Sequence, residues 1–298
     1  MGLKPDNRTK ADPSAIKQHF SNINVRIHCC RYWKLQEWEF RNMSFPFWRI
    51  YYNTIEGARI FFAQKEVALN QEVIVLIPPY TSFSTALRNG DKESLNGSHM
   101  KSMDEYAQLQ ALGMVDHLFI HFNLGFTLDQ VEPDIYVFEI NTGMRELLNT
   151  IRQYTLNGIG HFGFNETMIL HRIIYRLVCL IPQEKRINRQ IDNRILKVIE
   201  YIDHHYRDGL NNDHLARIAA MATNSYLRLF KQSTGVTLQQ FVQNKRIEKA
   251  ITQMHNQSGS IDQIAEWCGF SDRHHFSKVF KKQVGVAPGI YRKMHTIR

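Results

Sequence analysis

Two groups of side chains in the last third of the chain have the types and spacing that contact nucleic acid. Arginine and lysine bind phosphates and guanine edges, while asparagine, serine and histidine add hydrogen bonds. An apolar leucine among them suits a thymine methyl group. If each group lies along one helix, its members share an outward side, for which simple solvation is the alternative role. The groups are Asn224, Ser225, Leu227, Arg228 and Lys231, and then Arg273, His274, Ser277, Lys278 and Lys281.

Each group belongs to a stretch that pairs a short apolar-periodic helix with a tight turn and a second helix. The two stretches are residues 215–231 and 264–281, and a Gly-Val pair follows each of them. This order is typical of a helix-turn-helix, whose second helix enters the major groove of DNA. Two copies in tandem predict a duplicated unit that binds double-stranded DNA.

The segment between the copies predicts a rigid spacer. Thr237 and Gln240 form a capping-box pattern at the start of an apolar-periodic stretch that continues to Met254. A helix of about 18 residues is roughly 27 Å long. Because one turn of DNA is about 34 Å, both second helices could enter successive major grooves on one face of the duplex.

The two copies are not equivalent. Gly269 occupies the turn of the second copy, whereas Ala220 occupies the corresponding position of the first. A positive φ costs a non-glycine residue about 1 kcal/mol, so the first turn is expected to be strained. Ser271 is the expected cap of the second recognition helix, and Thr223 or Asn224 that of the first. We therefore expect two half-sites of different sequence.

Charge and composition agree with a DNA partner. The chain has 37 Lys and Arg against 28 Asp and Glu, and residues 190–298 hold 16 of the former and 9 of the latter. Most of the net +9 therefore lies with the repeated pattern, as phosphate binding requires. No apolar run approaches the ~18 residues of a membrane span, and residues 1–21 lack an apolar signal core. Without CxxC spacing, the four cysteines are expected to be reduced in a cytoplasm.

Residues 190–298 resemble the DNA-binding domain of the AraC/XylS family of bacterial transcriptional regulators. Ala220 departs from the family pattern, in which glycine is usual. The resemblance implies a transcriptional activator that works with RNA polymerase and forms a homodimer. It also implies a preceding cupin-like domain that binds a small effector or mediates dimerisation. The matching segments are Ile264–Asp272, Phe276–Lys282, Gly285–Pro288, Tyr291-Arg292 and Lys245–Ala250.

The rest of the chain predicts a multi-domain protein. Short alternating strands and turn signals indicate a mainly-β, cupin-like barrel over residues 23–140, after a leader at 1–22. Helical spacing over 141–189 predicts a connector, whose second helix could pair with another subunit or pack on its own barrel. Residues 190–298 form the all-α domain with two helix-turn-helix units.

The barrel carries candidate effector-binding residues. Aromatic side chains are dense from Tyr32 to Tyr52, which suits a stacking wall for a sugar-like or aromatic effector. A barrel core with a dimer face is the alternative. Arg49, Arg59 and Arg88 could anchor an anionic ligand or lie at the surface. The candidates are Trp48, Arg49, Tyr51, His117 and His121.

No pattern for catalysis, a cofactor or a metal is evident. Metal-dependent cupins need a His-x-His pair with a nearby Glu, which is absent. His117 and His121 share a strand face but lie about 13 Å apart, too far for one metal ion. Three functions stay open: an effector-controlled regulator, an effector-independent regulator whose barrel only dimerises, and a cupin enzyme with a DNA-binding tail.

Overall fold

The computed structural model describes residues 23–87, 92–99, 113–156, 161–187, 191–256 and 259–295. The leader expected at residues 1–22 lies outside the described residues. No helix in these ranges has the length and apolar character to cross a membrane.

The first half of the described chain is a nearly closed barrel of antiparallel strands, as the sequence predicts. The strands pair in the order β4-β3-β6-β1-β8-β2-β5-β9, and β7 pairs with β1. The pairing of the long strand β1 has three irregularities, one each with β8, β7 and β6. The strands are β1 (Arg26–Met43), β2 (Trp48–Asn53), β3 (Arg59–Phe62), β4 (Lys65–Ala68), β5 (Val73–Ile77), β6 (Phe83–Ala86), β7 (Ser94–His99), β8 (Val115–Asn123) and β9 (Tyr136–Glu139).

Two helices, α1 (Thr142–Leu156) and α2 (Phe164–Cys179), cover one outer side of the barrel. On α2, residues at helical spacing are buried against the sheet: Leu170, Ile173, Ile174 and Leu177. Of the two alternatives that the sequence left open for this helix, its buried side therefore packs on the chain's own barrel. Phe164 and Met168 at the start of the helix remain exposed.

The C-terminal part is all helical, as predicted. Its helices are α3 (Asn193–His205), α4 (Asn212–Ile218), α5 (Thr223–Thr234), α6 (Leu238–Asn256), α7 (Ile261–Trp267), α8 (Arg273–Val284) and α9 (Pro288–His295). The helices α3 to α5 pack around their own apolar cluster, which includes Tyr226 and Phe230. The second unit instead shares one continuous core with the barrel interior, in which Phe276 and Phe280 join Trp38 and Tyr51.

An ionic cluster joins the barrel to the long helix α6. Arg26 on β1 donates to Glu248 at 3.1 Å and to Asp203 at 3.3 Å. Lys245 lies 2.7 Å from Asp203 and 2.8 Å from Glu248. Burial opposes the ionisation of Glu248, but Lys245, His28 and Arg26 together lower its pKa. Each charge is thus compensated by residues of the other domain or of its own helix.

The end of the recognition helix α8 also touches the barrel. Gly285 ends the helix with φ 88°, and a Cβ there would lie 2.9 Å from the carbonyl oxygen of Asn42. The backbone N–H of Ser44 donates to the carbonyl of Val284 at 3.4 Å. A glycine is therefore required here both for its backbone conformation and for the close approach of β1.

We expect Glu248→Gln to destabilise the full chain by about 3 kcal/mol, because Lys245 and Arg26 lose a buried countercharge. Urea unfolding followed by fluorescence measures this. Glu66→Gln is the matched control, since Glu66 pairs with Arg59 at the exposed surface and its loss costs under about 1 kcal/mol. Equal losses in the two variants would show that the ionic cluster does not hold the domains together.

Candidate nucleic-acid interface and effector cavity

The first helix-turn-helix turn adopts the strained conformation that its sequence predicts. Ala220 has φ 50°, and the N–H of Met221 donates to the carbonyl of Ala216 at 3.0 Å to close the turn. The expected cap at Thr223 or Asn224 is wrong, because Ala222 holds the cap position and makes no side-chain bond. The Thr223 hydroxyl instead donates to Asp213 at 2.6 Å and ties the recognition helix α5 to α4.

The second turn is shaped by a glycine. Gly269 has φ 80°, and a Cβ there would lie 2.6 Å from the carbonyl oxygen of Arg207. The predicted cap at Ser271 is wrong by one residue, since Asp272 accepts from the N–H of His275 at 2.7 Å. This backbone hydrogen bond lowers the pKa of Asp272. A carboxylate reaches the first turn of a helix as readily as a hydroxyl and is also favoured by the helix dipole.

The spacer helix between the two units is confirmed. Gln240 N–H donates to the Thr237 hydroxyl at 3.3 Å, and the Gln240 side chain accepts from Thr237 N–H at 3.0 Å. This capping box opens α6, whose 19 residues span roughly 28 Å. The helix connects the end of α5 to the start of α7 and carries the side chains that bind the barrel.

The predicted nucleic-acid residues lie on the outer sides of α5 and α8, opposite the buried aromatic residues. Leu227 and Ser277 are half-buried and the other residues of both groups are exposed. Arg273 pairs with Asp262 at 3.1 Å, and both side chains are more than half exposed. Such a surface pair is weak and is readily exchanged for a phosphate. Contact of these residues with DNA stays a prediction.

A small cavity lies inside the barrel and brings most of the predicted effector residues together. Arg49, Tyr51, His117 and His121 line it, beside Trp33, Trp38 and Phe119. Its volume is about 30 Å³, which is room for about one water molecule. Trp48 is not part of it, because adjacent strand residues face opposite sides. Its indole donates to Asp129 at 2.7 Å and stacks on Phe122 in the outer core.

The buried Arg49 is the unusual group of the cavity. It is 3% exposed, donates to the Tyr51 hydroxyl at 2.6 Å, and lies 2.9 Å over the ring of Phe45. None of the ion pairs among the described residues includes it, and burial lowers its pKa. A buried cation without a carboxylate is costly.

Phe45 links this cavity to the DNA-binding helices. Its ring lies under the Arg49 guanidinium and 5.9 Å from the ring of Tyr291 on α9. Tyr291 in turn contacts Phe280 on α8 at 5.5 Å. A displacement of Arg49 would therefore act on side chains that pack directly against the second recognition helix.

We expect acid to destabilise the chain through His117. This histidine is buried, its Nδ1 lies 2.7 Å from the side-chain amide oxygen Oδ1 of Asn53, and burial lowers its pKa to about 3. Because the unfolded histidine binds its proton near pH 6.5, stability present above that pH is lost as pH falls, by about 1.4 kcal/mol per unit. When urea unfolding is measured at pH 7.5 and 5.5, the loss of unfolding free energy at the lower pH should be smaller in His117→Asn than in wild type. An exposed control, His161→Asn, should keep the wild-type effect; equal pH effects in both variants would contradict the assignment.

Comparisons with known proteins agree with this architecture. A family described as Helix-turn-helix domain matches residues 215–294. The HTH-type transcriptional activator RhaS of Escherichia coli is 28% identical over 119 residues, which are 39% of this chain and 43% of RhaS. The probable transcriptional regulator LumQ of Photobacterium leiognathi is 28% identical over 134 residues, 43% of this chain and 53% of LumQ. The chain thus matches less than two thirds of either relative's length.

The whole fold is similar to that of ToxT from Vibrio cholerae O395. The TM-score is 0.55 at 15% identity, over 92% of this chain and 98% of ToxT. This likeness concerns the fold, a barrel followed by two helix-turn-helix units. The matched domain and its named relatives give the conclusion that the C-terminal part of this chain is a DNA-binding domain of the AraC/XylS family of transcriptional regulators.

Proposed function

We propose that the chain is a transcriptional activator that reads DNA with α5 and α8 and is controlled by a small effector in its barrel. The observation that carries the DNA-binding part is the pair of exposed, basic helix faces at the two ends of α6. Arg228, Lys231, Lys278 and Lys281 supply the charges, and the helix-turn-helix frame aims them outward. The activator relatives support the direction of regulation.

The length of the spacer helix indicates how the basic faces of α5 and α8 would contact DNA. A spacer of roughly 28 Å is close to the ~34 Å between successive major grooves on one side of a duplex. Lysine and arginine then hold phosphates, while Asn224, Ser225 and His274 are placed for base edges. Since the polar Ser277 stands in the second copy where the first has the apolar Leu227, the two half-sites differ and the bound site has a direction.

We expect Arg228→Ala and Lys278→Ala each to weaken binding by about 1–3 kcal/mol. A cognate site is first selected from a random duplex DNA pool with the full chain, and affinity is then measured by fluorescence anisotropy. If roughly six phosphates are neutralised, log K falls with log salt at a slope near −5. The matched control is Arg59→Ala, which removes an exposed arginine from the barrel.

Two results would refute this interface. The first is an affinity that does not respond to salt. The second is an equal loss in Arg59→Ala and in the two helix variants, which would mean that net charge alone, and not the helix faces, binds DNA.

The effector proposal rests on Arg49 in its apolar surroundings. A buried guanidinium among aromatic side chains suits a carboxylate joined to an apolar body. One ToxT structure from Vibrio cholerae holds an unsaturated fatty acid, which has this chemistry. We propose a ligand of the same class here. Because the cavity holds only about 30 Å³, the ligand must bind a more open state of the barrel.

The need for a more open barrel couples effector binding to the position of the DNA-binding helices. An anion that draws Arg49 away from Phe45 also changes the contact of Phe45 with Tyr291. A ligand that prefers the open state shifts the population toward it in proportion to its differential affinity. The proposed output is a changed position of α8 relative to the barrel.

We expect oleate, below its micelle concentration, to stabilise the full chain by about 2.7 kcal/mol at a hundredfold excess over Kd. Methyl oleate, which lacks the charge, should not. Arg49→Met should abolish the oleate effect and stabilise the ligand-free chain by about 1–4 kcal/mol, since a buried unpaired charge is replaced by a well-packed apolar chain. Thermal unfolding reports both effects.

A chain that oleate does not stabilise would overturn the ligand class. The small size of the cavity favours, in that case, an effector-independent regulator whose barrel only dimerises. Homodimerisation is itself part of the proposal, and the exposed Phe164 and Met168 on α2 support it. By family resemblance, we also propose that the protein acts with RNA polymerase and is located in the cytoplasm.

A further inference from the structure

Three potential metal ligands converge at the junction of the barrel and the DNA-binding domain. They are Cys29 on β1, His121 on β8 and His255 in the last turn of α6. One ligand atom from each lies within 4.8 Å of the others, and all three residues are buried. The cluster leaves no motif in the sequence, because its members lie far apart in the chain.

The scaffold holds these side chains firmly. Cys29 and His121 are directly paired across the antiparallel ladder of β1 and β8, so their side chains share one face of the sheet. His255 Nε2 lies 3.0 Å from the Tyr291 hydroxyl, which orients the ring. A metal bound through the other ring nitrogen, Nδ1, would keep this hydrogen bond, a common way to orient a metal-binding histidine.

We propose that Cys29, His121 and His255 bind a thiophilic metal ion, Cu⁺ or Zn²⁺, that joins the barrel to the DNA-binding domain. One thiolate and two imidazoles are the ligand types that select these ions over magnesium or calcium. Metal–ligand bonds of about 2.0–2.3 Å need ligand atoms about 3.3–3.7 Å apart, so the side chains must move inward by only about 1 Å. Three protein ligands leave a further position open.

The surroundings of Cys29 argue against a redox role. Its side chain is buried, whereas reactive cysteines are partly exposed. The neighbouring Cys30 packs in the outer core with Tyr32 and Trp48, because consecutive strand residues face opposite sides. Cys30 is therefore a matched control: a buried thiol one residue away that cannot reach the cluster.

The test uses the full chain, purified free of metal, without DNA or fatty acid. Cu⁺ under anaerobic reducing conditions and Zn²⁺ are titrated separately against a chromophoric chelator. We expect one equivalent of at least one ion to bind to wild type and to Cys30→Ser. Cys29→Ser and His255→Asn should each bind more than about 10-fold more weakly, since even an outer partner of a ligand is worth 10–100-fold.

Cobalt(II) supplies an independent readout. A thiolate–cobalt charge-transfer band should appear in wild type and Cys30→Ser and be absent in Cys29→Ser, and thermal unfolding shows which variants fold. If Cys29→Ser does not fold, His255→Asn and His121→Asn decide the question by their loss of metal. The proposal is overturned if neither ion binds stoichiometrically, or if the ligand variants bind like wild type. Neither result bears on DNA or oleate binding.

Discussion

The cluster of Arg26, Asp203, Lys245 and Glu248 is the interaction on which the position of the DNA-binding helices depends. It lies where α6 meets β1, and α6 carries a helix-turn-helix unit at each end. Buried ion pairs add little net stability compared with apolar packing, but they tolerate little displacement, because each charge needs its partner. The cluster therefore restricts the register in which the spacer helix docks, and both recognition helices follow that register.

The two helix-turn-helix units differ in how they pack against the barrel. The first has its own apolar core around Tyr226 and Phe230, whereas the second completes a core that begins inside the barrel. Motions of the barrel interior can thus reach α8 through packed side chains, whereas the described contacts of the first unit with the N-terminal domain include the Arg26–Asp203 ion pair and the packing of Phe126. Under the proposed function, the second unit is the one that shares packed side chains with the barrel interior, so its geometry would respond more directly to a ligand there than that of the first unit.

Much of this architecture was predictable from local patterns, and the failures have physical causes. Helical spacing located α5, α6 and α8, and the need for positive φ identified Gly269 and Ala220. The capping residue of α8 was missed because serine and aspartate next to one another satisfy the same donors. The phase of β2 was also undetermined, since both faces of that strand are buried and no alternation distinguishes Trp48 from Arg49.

Contacts between residues far apart in the chain could not be predicted from the sequence, for a different reason. Cys29, His121 and His255 meet only because α6 docks on the barrel, and that docking is set by tertiary contacts that leave no periodic signal. Arg49 and His121 were named as effector candidates from the sequence, but their neighbours in the chain do not show that Arg49 is buried in the barrel or that His121 lies beside Cys29 and His255.

A glycine is needed at position 285 for two structural reasons. Its left-handed backbone ends the recognition helix α8, and its missing side chain admits the carbonyl of Asn42 on β1. In the first unit, Gly235 likewise ends α5 with a left-handed backbone, at φ 80°. The Gly-Val pair therefore marks a helix end in both copies, and in the second copy it is also a joint between two domains. A larger residue at position 285 would push against the backbone of β1 at this joint.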